Sequence, residues 1–157
     1  ILTLKGHSWI VTSVVWSPDG TKLASGSGRY SGGGHWSAGE VFIWDLASGT
    51  KLAQLGGHSS LVNSVVWSPE GTKLASASWD KTVKVWNSVT GELILTLEGH
   101  SNWVRSVVWS PDGTKLASAS FDKTVKVWNS ATGELILTLE GHSRLVNSVD
   151  WSPDGTK

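Results

Sequence analysis

Cysteine and methionine are both absent from the 157 residues. Without thiols the chain can hold neither a disulfide framework nor a thiolate metal site, and an intracellular, cytoplasmic setting is the expectation. An excess of either charge is also missing. Thirteen Lys and Arg balance thirteen Asp and Glu, which argues against a protein built to grip a phosphate backbone. No apolar run approaches the roughly 20 residues that a membrane-spanning helix needs, so no membrane partner is expected. No stretch carries a helical period. The chain opens inside an apolar run, Ile1-Leu2-Thr3-Leu4, and so reads as an excerpt, in which missing targeting signals carry little weight.

What is present is repetition. The 42 residues from His100 to Gly141 differ from those between His58 and Gly99 at six positions: Ser60/Asn102, Leu61/Trp103, Asn63/Arg105, Glu70/Asp112, Trp79/Phe121 and Val89/Ala131. A first copy, 7–57, carries an insertion over 28–39, and a fourth, 142–157, is partial. The whole chain, 1–157, is therefore one repeat array.

Each unit holds four short runs rich in Val, Ile, Leu, Thr and Trp, parted by turn residues. Strand A runs from about Val104 to Ser110 and ends in the turn Ser110-Pro111-Asp112-Gly113. Strand B (about Lys115 to Phe121) turns at Asp122-Lys123 into strand C (about Thr124 to Asn129). Strand D, Leu135 to Leu139, follows. Apolar side chains fall on both faces of this meander, so it must be covered on both sides. Stacking each sheet on the next copy around an axis does so, which predicts an all-β propeller of about three complete four-stranded blades plus partial blade strands.

Gly99-His100, Leu116 to Asp122, and Val125-Lys126-Val127-Trp128-Asn129 resemble the WD40 repeat family, and the resemblance covers essentially the whole chain. A literal Trp-Asp pair stands only at Trp44-Asp45; the other complete copies have Trp86-Asn87 and Trp128-Asn129. The near-identity of the copies is similar to the WD40 arrays of fungal and bacterial signalling NTPases, or to a consensus-like design. The resemblance implies a ring of seven or eight blades and a hydrogen-bonded structural tetrad in each. Its members would be His58, Ser76, Asp80 and Trp86 in the second unit and His100, Ser118, Asp122 and Trp128 in the third. The neighbouring Ser78 and Ser120 share strand parity with Ser76 and Ser118 and are alternatives. The first unit keeps His7, Ser25 and Trp44, but its insertion displaces the corner that bears the Asp, so its tetrad is expected to be incomplete.

A Ser-His-Asp set invites a hydrolase reading, yet a motif echoed in every unit is scaffold, and no catalytic residue is expected. Four of the five histidines recur once per unit, and no carboxylate cluster joins His35, so neither a metal nor any other cofactor is expected. The expected function is recognition of a protein or peptide. The varied columns (Trp9/Ser60/Asn102/Arg144, Ile10/Leu61/Trp103/Leu145, Thr12/Asn63/Arg105/Asn147 and Trp79/Phe121) fall at the D to A loop, the start of strand A and the B to C corner. Alternation along a meander puts these at one end of every blade, the end by which the family usually binds partners. Candidate partner-binding residues are Trp9, Leu61, Asn63, Trp79, Trp103, Arg105, Phe121, Arg144 and Asn147, with Arg29, Tyr30, His35 and Trp36 from the insertion. If Trp103 and Phe121 are surface residues, truncating them should leave melting little changed. Asp150 departs from Val15, Val66 and Val108 in its column and would line a wet channel, meet a partner group or mark an edge. Alternative readings are a glycan or small-ligand binder, or an artificial scaffold without a natural ligand. Three blades leave open sheet faces, so a homo-oligomer, or a longer chain that completes the ring, is expected.

Overall fold

The structure is a computed structural model that describes residues 2–31, 35, 36 and 38–157, with backbone alone at 30, 31, 35 and 36. The described residues form fourteen strands and no helix. In the first unit, β1 (Ile10–Trp16) and β2 (Lys22–Gly28) are followed by a short hairpin of β3 (Tyr30–Ser31) and β4 (His35–Trp36), then by β5 (Gly39–Asp45) and β6 (Lys51–His58). The second holds β7 (Val62–Trp67), β8 (Lys73–Ser78), β9 (Val83–Asn87) and β10 (Leu93–Leu97). The third holds β11 (Val104–Trp109), β12 (Lys115–Ser120), β13 (Val125–Asn129) and β14 (Leu135–Leu139). Each unit is a four-stranded antiparallel meander, and in the first the inserted hairpin stands outside the order β1-β2-β5-β6.

Local chemistry dictates this path. In Ser110-Pro111-Asp112-Gly113, the Ser110 carbonyl accepts from Gly113 N–H at 2.8 Å, and Gly113 takes a left-handed φ of 72°. The Asp112 carboxylate accepts from Ser110 Oγ and Thr114 N–H at 2.6 and 3.0 Å, closing the loop on itself. Those donors hold its pKa down at about 2.

Blades pack face to face, and the cores lie between them. One joins Ala24, Val41, Ile43 and Leu55 to Val62, Val65, Trp67, Leu74 and Trp86 of the next blade. The second repeats this arrangement between the second and third blades. Glycines of the first blade are set by this close approach. A Cβ on Gly26 would lie 2.8 Å from Val62 Cγ1, and on Gly28 or Gly39 it would overlap Leu61 or the Ser60 carbonyl.

The two outer faces are open. Val11, Val14 and Trp16 are 50, 62 and 61% exposed, whereas Val62, Val65 and Trp67 in the same columns are 0, 2 and 8% exposed. At the far side Leu139 is 47% exposed, against 1 and 2% for Leu55 and Leu97. The partial fourth unit covers part of that face with Val146 and Val149, and Val146 N–H donates to the Ser120 carbonyl.

Candidate interaction face

Each blade is tied together at one end by a chain of side-chain hydrogen bonds. In the third, Trp128 Nε1–H donates to Ser118 Oγ (2.8 Å), Ser118 Oγ lies 2.8 Å from His100 Nε2, and His100 Nδ1 lies 2.7 Å from Asp122 Oδ2. One proton assignment satisfies every group: the indole donates to the serine, the serine to Nε2, and Nδ1–H to the carboxylate. Burial holds the His100 pKa below its ordinary value against the pull of Asp122, which keeps the ring neutral. Burial pushes Asp122 up, but hydrogen bonds from Thr124 and His100 win and leave it at about 2. The second blade repeats the chain through Trp86, Ser76, His58 and Asp80. The neighbouring serines do other work: Ser78 and Ser120 donate to the Ser60 and Asn102 carbonyls and accept from the Asp80 and Asp122 N–H groups.

The first blade corrects the expectation of an incomplete set. Trp44 donates to Ser25, Ser25 meets His7 Nε2, and His7 Nδ1 reaches Glu40 Oε2 at 3.1 Å. Glu40 lies beyond the insertion, in the column of Thr82 and Thr124, and its extra methylene carries the carboxylate to the place that Asp holds elsewhere. It also accepts from Ser8 N–H and Ser27 Oγ, each at 3.1 Å. Phe42 stacks on His7 with centroids 4.1 Å apart, and Lys51 Nζ sits 4.1 Å above the Phe42 ring.

Because each tetrad joins a D to A loop to a B to C corner, both connections share one end of the blade. Phe121 N–H donates to the Trp103 carbonyl, and Trp79 N–H to that of Leu61. The varied third column sits on a repeated irregularity: pairing skips a residue at Thr12, Asn63 and Arg105. Such a bulge re-aims the extra side chain. Thr12 Oγ1 donates to the Val62 carbonyl of the next blade, and Asn63 Nδ2 reaches the Val104 carbonyl at 3.5 Å. Arg105 Nη1 in turn donates to Asn63 Oδ1 at 3.2 Å.

On this end Trp79 and Trp103 stack in parallel across the blade boundary, centroids 4.0 Å apart, with Phe121 5.7 Å from Trp103. The Arg105 guanidinium lies 5.3 Å from the Phe121 centroid. All four are half-buried, and Trp79, Trp103 and Phe121 touch across the blades, so truncating them is expected to cost stability rather than leave melting unchanged. Trp9 is half-buried beneath exposed Arg29, 5.0 Å from its ring. Arg144 and Asn147 are exposed. Leu61 is a correction: it is 8% exposed, because the insertion's glycine shoulder at Gly28 lies over it and leaves no surface for a partner. Tyr30, His35 and Trp36 belong to the inserted hairpin, and their side chains lie outside the described residues. Asp150 is exposed and lines a hollow with Val15, Val66 and Val108, at the axis side of strand A. Sequence reasoning missed Glu40, for which an acidic residue close to the restart of strand C was the available signal. It also missed Lys81 and Lys123, exposed at the two B to C corners with left-handed φ of 74° and 75°.

Stacked four-stranded meanders, each pinned by a Trp-Ser-His-carboxylate chain, define a β-propeller repeat protein. The chain belongs to the WD40 family: the description "WD domain, G-beta repeat" matches residues 1–45, 49–87, 91–129 and 133–157. Among its relatives, WD repeat-containing protein 1 of Xenopus tropicalis is 38% identical over 86 residues, 53% of this chain and 13% of that protein. A chromatin assembly factor 1 subunit of Mus musculus is 32% identical over 85 residues, 54% of this chain and 13% of that protein. The chain thus spans about an eighth of the length of these relatives. The solved structure of U3-55K superposes with a TM-score of 0.79 at 29% identity, over 90% of this chain and 42% of that one.

Proposed function

We propose that the chain is a non-catalytic recognition scaffold that binds a protein or peptide at the end carrying the D to A loops and B to C corners. The observation that supports this most is where near-identical copies differ. Three of the six differences between the second and third units bring together, at that end, the strip Trp79, Trp103, Phe121 and Arg105 with Asn63 beneath it. Aromatic rings and Arg are the usual anchors of an interface. The chromatin assembly factor 1 relative is named as one component of a larger protein complex, which agrees with a scaffold role. Against catalysis stands the saturation of the tetrads. Ser118 is fully buried, takes the Trp128 N–H and faces His100, so this serine is closed off from a substrate in solvent.

The outer faces support a second element: another blade of the same kind, from a second copy or a continuing chain, packs on each. Val11, Val14 and Trp16 are chemically the face that the next two blades bury, and covering their remaining exposed surface would contribute roughly 1–2 kcal/mol per side chain.

Selection from a random peptide library tests the first element. Selected peptides should lose binding to Arg105→Ala and to Arg144→Ala but not to Asp112→Ala at the opposite end; the reverse pattern would refute it. Native mass spectrometry tests the second, and a soluble, cooperatively folding species at 16.8 kDa contradicts it.

A further inference from the structure

The chemistry of the partner can be narrowed further, resting on the recognition role proposed above. Formal charge is zero over the whole chain, but the two ends of the blades are unlike. The turns joining A to B and C to D carry seven acids, Asp19, Asp45, Glu70, Glu92, Asp112, Glu134 and Asp154, against five flanking lysines, Lys22, Lys51, Lys73, Lys115 and Lys157. The other end carries Lys5, Arg29, Lys81, Arg105, Lys123 and Arg144. Its acids are Glu98 and Glu140, in the D to A loops, and the three tetrad carboxylates. Those three are already saturated by His, N–H and hydroxyl donors, and the side chains of Asp80 and Asp122 are only 7 and 6% exposed.

Among the described residues, Lys81, Arg105, Lys123 and Arg144 have no carboxylate within 4.0 Å; the close ion pairs are all tetrad His contacts. Arg105 lies 5.3 Å from the Phe121 centroid with one N–H on Asn63, which steadies the guanidinium and leaves further N–H donors for a carboxylate. At the next boundary Leu145 replaces Trp103. There an open depression is lined by Lys123, Ser143, Arg144 and Leu145, one apolar side chain between two cations. Lys81 and Lys123 keep these cations at positions whose left-handed backbone favours Gly or Asn.

We infer that this end recognises a linear peptide segment rich in carboxylates, with an apolar residue between them, whose acids meet Arg105 at one boundary and Lys123 with Arg144 at the next. A peptide fits better than single-stranded nucleic acid. Base recognition without sequence preference draws on open aromatic faces, and here Trp103 already faces Trp79 in parallel and Phe121 at a tilt.

The test is fluorescence anisotropy with the intact chain and four labelled probes: a peptide of alternating Glu and Leu, its Gln-Leu and Lys-Leu twins, and an oligothymidylate. The Glu-Leu peptide should bind about tenfold or more tighter than the Gln-Leu twin. Binding should weaken with Lys123→Glu or Arg144→Glu, both at exposed positions where folding is retained, and with Arg105→Gln. It should fade as salt rises from about 0.05 to about 0.5 M. Equal binding of the Glu-Leu and Gln-Leu peptides, or Glu-Leu binding untouched by the charge reversals, overturns the inference. So does tighter binding of the oligothymidylate, or no binding of any probe. The library selection keeps the two readings apart: neutral peptides that need Arg105 would leave the recognition face standing and remove only its acidic partner.

Discussion

Glu40→Ala is the substitution on which the sequence pattern and the structure disagree most sharply. By pattern the first blade has no tetrad carboxylate, and residue 40 is a loop shoulder whose truncation should cost less than about 0.5 kcal/mol. In the structure Glu40 Oε2 accepts from His7 Nδ1, Ser8 N–H and Ser27 Oγ, all at 3.1 Å. The side chains of His7 and Glu40 are only 8 and 16% exposed, so water replaces these bonds poorly. At a net value of about 0.5–1.5 kcal/mol per hydrogen bond, discounted because Ser8 reaches solvent, the loss comes to about 1.5–2.5 kcal/mol. For a chain of this size that lowers the melting midpoint by roughly 3–8 °C. Glu40→Gln keeps an acceptor but loses the charge that strengthens it, and should fall about halfway. Partial burial raises the Glu40 pKa, but its bonds to Ser8, His7 and Ser27 outweigh burial and hold it below the ordinary 4.5. A depressed carboxylate stabilises fully above its unfolded value and loses that contribution as pH falls through its folded value. The difference between wild type and Glu40→Ala in urea titrations should therefore be constant above about pH 5 and shrink below it. A difference under about 0.5 kcal/mol at pH 7, or one that does not change with acid, would refute the assignment.

Three further outcomes follow from the same geometry. Trp79→Ala and Trp103→Ala should each destabilise the chain by about 1–3 kcal/mol, and their double-mutant cycle should show a coupling of about 0.5–1.5 kcal/mol; additive losses would mean the stack contributes nothing between blades. Burial raises the Asp80 and Asp122 pKa values, but hydrogen bonds from His and Thr exceed it and leave both at about 2 against an ordinary 3.8. Acid unfolding monitored by Trp fluorescence should accordingly set in below pH 3.8 and run toward pH 2, and Asp122→Asn should flatten it; a transition that is unaffected by Asp122→Asn would contradict this. Lys123→Asn relieves a left-handed Lys and should raise stability by a few tenths to about 1 kcal/mol in the same titrations, whereas a loss would show that the Lys side chain supports the corner.

The fold was legible because its signal is repeated. Four apolar runs recur at one spacing, and His58, Ser76, Asp80 and Trp86 return as His100, Ser118, Asp122 and Trp128, which fixes strands and pinned corners together. Glu40 escaped because column alignment assumes equal side-chain length, and here the longer Glu, from another column, reaches the same point. Leu61 was misplaced for a different reason. A varied column suggests surface, but the missing Cβ of Gly28 lets backbone close over it. Trp16 and Trp67 share a column and differ in exposure by 53 percentage points, 61 against 8, since a column conveys chemistry and not the neighbour that covers it. The bulge at Arg105 depends on strand register, which residue types alone do not reveal.

The most direct test of a recognition face at the loop end is amide hydrogen exchange of the chain alone and bound to a peptide selected from an unbiased library. The account predicts new protection at the D to A loops and B to C corners of the second and third blades, around residues 79–82, 101–105 and 121–124, and unchanged exchange at the opposite turns. Protection confined to the turns at Ser68 to Gly71 and Ser110 to Gly113 would contradict it.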